Sequence, residues 1–487
     1  MERLNQAQVE KKERPIVVLQ YGEGNFLRAF ADHMIDVANE QGITDFGIAM
    51  VKPRKNGTLS RFREQDELYT VLLRGYQNGA VVDEARVITS IQKAIECYGQ
   101  YEEYEALARL ETLKLVVSNT TEAGIVFEES DRFELCPPDT FPGKLTKLLY
   151  QRFEHFHGDP TRGLIMLPCE LNERNGQRLQ HCVNQYIDLW KLGDGFRCWV
   201  EKSCTFCNTL VDRIVTGAPK DEGEAIAQRL GYEDPLLDIA EPFAFWGIEQ
   251  TGTDVQGVFP LDRAGLPVLF VQDLTPYRER KVRILNGAHT ATALAGYLAG
   301  FDTVGELMAD PVFSAYLKKM VYEEIVPTVP LPQAEASAYA SAVFERFGNP
   351  FLRHSLLDIS LNSVSKWKTR VLPSLKDFFQ REERLPRLLT FSFAALLAFY
   401  RGARDKDGLK GTRGGEEYPI RDDREVMEFF AAHSAADSVP QYVEAAAAHS
   451  AFWEEDLRAL PGFVEQVSAD LQRILDSGMM AAARELM

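Results

Sequence analysis

Pro15-Ile-Val-Val-Leu-Gln-Tyr-Gly22-Glu-Gly24-Asn-Phe-Leu-Arg28 joins a continuous apolar run of strand length to a Gly-x-Gly turn, and a helical pattern follows through Phe30, Met34 and Val37. Strand, glycine turn and helix in succession form the setting in which a dinucleotide pyrophosphate rests on a helix N-terminus. The first turn's N–H groups lack partners there and the helix dipole is positive. Gly22 permits the tight turn and Gly24 lets backbone approach the phosphates. The third glycine of the usual fingerprint is absent, since Leu27 occupies its place. By itself the motif is nearly as compatible with a plain strand-to-helix turn.

The same alternation continues downstream. Residues 46–51 read as a second parallel strand, and at its end Lys52, Arg54, Lys55 and Asn56 stand where NAD-specific sites often carry an acid. Basic residues suit a 2′-phosphate, so the local chemistry leaves NADP open beside NAD; a solvated loop end is the bland alternative. Residues 69–74 and 81–88 alternate about a turn and are expected to form a hairpin inserted in the sheet. Helical patterns at 101–110, 145–156 and 177–192 interleave with buried strands at 113–117 and 163–167, and the polar run Ser118-Asn-Thr-Thr-Glu-Ala-Gly124 follows the first of these. That order predicts a doubly wound parallel sheet. Further on, 206–215 and 222–230 read as helices, and 243–248 and 268–273 as short strands. After Tyr277 helical periods dominate, broken by prolines at 327–332 and by an exposed, Gly-rich charged loop at 402–415. The expected architecture is α/β: a Rossmann-like sheet domain over 1–275, then an all-α domain over 276–487.

A chain of 487 residues suits about two to four domains. The net charge of −18 argues against nucleic acid or an anionic membrane as a main partner, since both select basic surfaces. Residues 1–14 are polar, with no apolar segment of a signal peptide, and no apolar run approaches membrane length. A cytoplasmic protein is expected. Seven scattered cysteines fit reduced thiols better than a disulfide framework. Cys204-Thr-Phe-Cys207 lacks the second pair that a zinc site needs, and no HxxxH or HExxH occurs, so no metal site is expected. Oligomeric state stays open.

In the helical half, Lys281-Val-Arg-Ile-Leu-Asn286-Gly-Ala-His289 places three proton-handling side chains where a helix is expected to begin, at about Arg283. Asn286 and His289, three apart, then share a face, with Lys281 just before the first turn. A lysine at the positive end of a helix has its ammonium form disfavoured, which suits a general acid/base. The bland alternative is a surface lysine, a capping asparagine and a buried histidine. With a domain boundary near 275, the motif falls at the expected seam, where a cleft between the domains is expected.

Together these features resemble the mannitol dehydrogenase family, long-chain polyol and sugar-acid dehydrogenases that need no zinc. The most specific match is K-x4-N-G-x-H at Lys281, Asn286, Gly287 and His289. Gly22-x-Gly24-x-Phe26-x-Arg28 fits the family's own cofactor turn, and Thr121-Glu122-x-Gly124, Val211-Asp212-Arg213-Ile214 and Ser365-Lys366 add to it. The likeness is greatest to the branch that reduces the ketone of a hexuronate in hexuronate catabolism, with fructuronate/mannonate-type and mannitol-type enzymes as alternatives. The resemblance implies NAD along Val18, Leu19, Gln20, Tyr21, Gly22, Glu23, Gly24, Asn25, Phe26, Leu27, Arg28 and Ala29. It implies catalysis by Lys281, Asn286 and His289 on a small sugar-acid substrate, with Lys366 a candidate partner for its carboxylate. Asn208 and Asp212, polar residues on one face of the 206–215 helical run, are candidates to bind substrate hydroxyls or to position Lys281. Three departures follow. Cys169-Glu170-Leu171, with Asn172 next, replaces a Cys-Asp-Asn segment, leaving the second oxyanion donor open. Asp358 stands for an arginine, and Arg278 replaces an acid three before the lysine. Arg278 is expected to help neutralise a substrate carboxylate, a surface arginine being the alternative.

Overall fold

In a computed structural model, which describes residues 1–218, 222–250, 252–405, 408–433 and 437–487, the chain forms two compact units. The first comprises Met1–Arg74 and Val81–Leu274, the second Gly75–Ala80 and Thr275–Met487.

The first unit is built on a six-stranded sheet. In chain order its strands are β1 (Ile16–Tyr21), β2 (Gly47–Lys52), β5 (Ile91–Glu96), β6 (Leu115–Ser118), β7 (Ile165–Pro168) and β8 (Thr205–Phe206), with β3 (Tyr69–Gln77) and β4 (Ala80–Ile88) between β2 and β5. Their spatial order is β5-β2-β1-β6-β7-β8, and every pairing is parallel. A parallel sheet is covered on both faces, which is why β1 is a near-continuous apolar run. Val18 joins one core with Phe30 and Val117, while Leu19 and Tyr21 join the opposite core with Leu145 and Val183. The chain leaves β1 toward β2 and later returns on its other side as β6, so the sheet order reverses between β1 and β6. In open α/β sheets that reversal opens a crevice at the strands' carboxyl ends.

Two readings of the sequence change here. β3 and β4 do not enter the main sheet. They pair with β10 (Asp238–Ala240) in a sheet of their own, β10-β3-β4. Residues 206–215 are not a helix: β8 gives way to β9 (Thr209–Asp212), all four residues of which are buried. β9 pairs antiparallel with β11 (Phe245–Glu249), which pairs with β12 (Val268–Val271). The run Thr209-Leu-Val is β-prone, and a partner strand supplies its hydrogen bonds, so tertiary pairing overrides the apparent helical period.

Asp32 lies in the helix that follows β1 and is wholly buried. Its carboxylate accepts from Tyr69 at 2.7 Å and from Gln20 at 3.3 Å. Burial pushes its pKa up to about 7, with the two hydrogen bonds opposing. The folded state therefore holds a proton that the unfolded chain releases near pH 4. Stability from this group is full below that pH and is lost as pH rises to about 7. Asp32→Asn should raise the melting temperature at pH 8, by an equivalent on the order of 3 kcal/mol, and leave it nearly unchanged at pH 4. Melting curves at the two pH values check this; an equal shift at both would contradict it.

The second unit is helical, with one small sheet. Residues 402–415, expected as an exposed loop, instead contribute to β13 (Ala403–Asp405) and β14 (Gly408–Arg413), with β15 (Glu416–Ile420) completing an antiparallel sheet; residues 406–407 lie outside the described residues. Tyr418 under Gly411 explains the glycine, since a Cβ there would fall 2.3 Å from the ring. The most apolar helix, Arg387–Tyr400, is almost entirely buried. Among the described residues no helix is long and apolar enough to cross a membrane.

Candidate active site

In the first unit the turn after β1 lies at the sheet's reversal point. Gly22 has φ +124°, a region that side-chain-bearing residues rarely adopt, and a Cβ on it would lie 3.0 Å from the Asn119 carbonyl after β6. Gly24 differs: its backbone is extended, and a Cβ on it would meet nothing within 4 Å. It caps the helical run Asn25–Leu27, Arg28–Asp32 and His33–Glu40 with no side-chain hydrogen bond to that helix end. An open, uncapped helix start beside a glycine fits a phosphate-bearing cofactor.

The expected cofactor-binding run narrows accordingly. Val18, Leu19, Gln20 and Tyr21 are fully buried, as are Leu27 and Ala29, so the accessible part is residues 23–26 together with the Gly22 backbone. Arg28 is a structural group rather than a ligand arm. Its guanidinium donates to the Leu236 carbonyl and to Asn25 Oδ1 at 2.5 Å, lies 3.7 Å from the Asp238 carboxylate and sits over the Tyr69 ring. Leu27 takes the third-glycine position because the helix there packs into the core. At the end of β2, Lys52 donates to the carbonyls of Arg54 and Asn56. It braces its own loop, and the exposed Arg54 and Lys55 remain as the basic groups there.

The polar loops after β6 and β7 are tied by Glu170, buried and accepting from Ser118 Oγ (3.0 Å), Thr120 N (2.8 Å) and Thr120 Oγ1 (2.9 Å). Burial raises its pKa against those bonds. Glu170 is thus a brace, which the sequence did not reveal. Asn172 donates to the Glu122 carbonyl at 3.0 Å. Asn208 is not on a helix: its amide donates to Glu249 at 2.6 Å and accepts from Gln177 N at 3.1 Å. Both polar atoms are engaged within the unit, which disfavours the expected substrate contact. Asp212 ends β9, buried, opposite Phe245. Residues four apart in extended chain lie about 13 Å apart, not one helical turn, so the shared helix face expected for Asn208 and Asp212 does not exist. Cys204 and Cys207 are both buried, their thiols pushed up to about 12 by burial. No cluster of potential metal ligands occurs among the described residues.

In the second unit the signature lies inside a longer helix than expected. Thr275–Arg280 is α-helical, Lys281–Gly287 is π-wound and Ala288–Leu298 is α-helical. Lys281 is therefore interior to the helix, and the helix-end argument for its ammonium falls. The π segment supplies a different device. Residues five apart on an α-helix are about 140° apart around the axis, whereas i→i+5 bonding stacks them. Lys281 and Asn286 are thereby brought to one face, and His289 follows three residues on. Gly287 is required by packing, since a Cβ there would lie 2.8 Å from the Arg370 carbonyl oxygen.

His289 stacks on Phe347 at 4.0 Å between ring centres and meets His354 edge-on at 5.1 Å. Burial first, then His354, Arg346, Arg370 and Lys366, hold its pKa well below the usual value, so the ring is neutral. Its Nε2 is out of solvent and has no hydrogen-bond partner among the described residues. Ala288, Thr292, Val304, Leu307, Phe347 and Leu356 line a narrow apolar cavity beside it. Arg278 is half-buried on Thr275–Arg280. Lys366 Nζ donates to the Ile359 carbonyl at 3.0 Å, and burial and Arg370 lower its pKa. Asp358 is exposed and pairs with Arg421 at 3.3 Å.

A glycine-turn nucleotide fold and a Lys-Asn-Gly-His helix define a class of nucleotide-dependent dehydrogenases, and the chain belongs to the mannitol dehydrogenase family. The family's Rossmann domain matches residues 16–257 and its C-terminal domain residues 273–475. Among relatives, the altronate oxidoreductase of Yersinia enterocolitica is 43% identical over 99% of both chains. Those of Klebsiella pneumoniae and Escherichia coli are 43% and 42% identical over 100% of each chain. Among solved structures, a D-sorbitol dehydrogenase matches with TM-score 0.80 at 20% identity over 99% of this chain and 100% of its own. The Pseudomonas fluorescens mannitol 2-dehydrogenase ternary complex with NAD and D-mannitol matches with TM-score 0.67 at 22% identity over 99% of both chains. These two likenesses concern the fold.

Proposed function

We propose that this chain is an NAD-dependent cytoplasmic oxidoreductase that reduces tagaturonate to altronate, reversibly, in hexuronate catabolism. The observation that carries the reading is the π-wound signature, which sets Lys281 and Asn286 on one face with His289 beside them, in a chain similar from end to end to altronate oxidoreductases. NADH, when bound, would supply hydride to the substrate's ketone carbon. The Gly22–Gly24 turn and the helix start behind it would hold its pyrophosphate. Negative charge develops on the ketone oxygen as the hydride arrives, and preorganised donors lower that barrier. Asn286 supplies an amide N–H, and the neutral His289 ring orients the hydroxyl next to the reacting carbon. Lys281 gives its proton to the oxygen; in the oxidative direction it takes the proton from the alcohol. Asp212 is the candidate from the sequence for a substrate hydroxyl. Arg278 and Lys366 are the candidates from the sequence for the carboxylate.

Measuring kcat/KM for tagaturonate, fructuronate and fructose, each with NADH and NADPH, tests substrate and cofactor together. Tagaturonate with NADH should lead. A lead for fructuronate would move the chain to the mannonate-forming branch, and a lead for NADPH would assign Arg54 and Lys55 to a 2′-phosphate. Gly24→Ala should raise KM for NADH about tenfold without moving the melting temperature, because its Cβ meets no protein atom within 4 Å. An unchanged KM would remove Gly24 from the cofactor site.

A further inference from the structure

Helix Ser363–Arg370 packs against the signature, with the Arg370 carbonyl set against Gly287. From there Arg370 reaches Thr290, the residue after His289, with Nη1 3.5 Å from its hydroxyl. The guanidinium is half-buried, and no carboxylate lies within ion-pair distance of it among the described residues. One turn earlier on the same face, Lys366 Nζ is held by a carbonyl and likewise pairs with no acid. Like charges four apart on a helix repel each other, and a half-buried cation without a counter-ion costs desolvation free energy. A pair arranged this way beside a catalytic ring is suited to an anion, and a planar guanidinium fork matches a carboxylate.

We propose that Arg370, with Lys366, receives the carboxylate of the sugar-acid substrate and sets the preference for acid over polyol. The inference rests on the functional reading above and names a residue that the sequence did not single out. Arg370 is a binding residue here, not a proton carrier.

The test is the ratio of kcat/KM for tagaturonate to that for tagatose, its uncharged counterpart, in wild type, Arg370→Met, Arg370→Lys and Arg278→Ala. Arg370→Met should lower the ratio about a hundredfold, mainly through KM for the acid. Arg370→Lys should recover part of it by restoring charge without the fork. A structural role at the helix end would instead lower both substrates alike and shift the melting temperature, and that pattern overturns the assignment. So does a ratio that holds in Arg370→Met and collapses in Arg278→Ala. Wild type that reduces no hexuronate defeats the functional reading itself, an outcome distinct from either.

Discussion

Lys281→Ala is expected to lower kcat for tagaturonate reduction by about ten-thousandfold, while NADH binding, followed by fluorescence, stays as in wild type. The size follows from the role: a positioned acid/base contributes about 10²–10⁴ in rate, and the neighbours of Lys281 along the helix are poor substitutes for proton delivery. Val282 and Leu285 are apolar, and Arg283 is engaged with Asp377 and Glu279. The His289 ring is held neutral by burial and by nearby cations, so it is a poor substitute acid. Retained turnover, above about a tenth of wild type, would remove the central claim of the mechanism. Weaker NADH binding would show that the lysine acts on the cofactor instead.

Asn286→Ala should lower kcat about 10²–10³-fold, the range for loss of one preorganised donor to a developing oxyanion. The half-buried Asn286 amide makes no side-chain hydrogen bond among the described residues, so its removal breaks no internal contact and the melting temperature should hold. KM for the acid should change little, because the amide meets charge that exists only as the hydride arrives. A rise in KM with kcat preserved would make Asn286 an ordinary substrate contact. Comparing kcat and KM separately for this variant therefore decides between the two roles. The prediction also probes the π winding, since in uninterrupted α-helix Asn286 would face well away from Lys281.

Much of the fold was legible because its determinants are local. Ile16–Tyr21 reads as a buried strand from its run of apolar residues, and Gly22 reads as a turn because only glycine takes φ +124° at ease. The helical second half follows from its apolar periods, and the structure adds a capping box of Thr303 and Glu306 at one helix start. The identities of Lys281, Asn286 and His289, and their spacing, are likewise present in the chain. Tertiary structure decided what depends on partners distant in sequence. Residues 209–212 are a strand because β11 lies beside them, and Asn208 is held by Glu249, 41 positions away. Arg28 turned inward because Leu236 and Asp238 receive it. The π winding of Lys281–Gly287 was visible only in the folded chain, and the seat of Arg370 against Gly287 arises from helix packing. Packing responds to the summed shape of surrounding side chains, and no single stretch of sequence carries that sum.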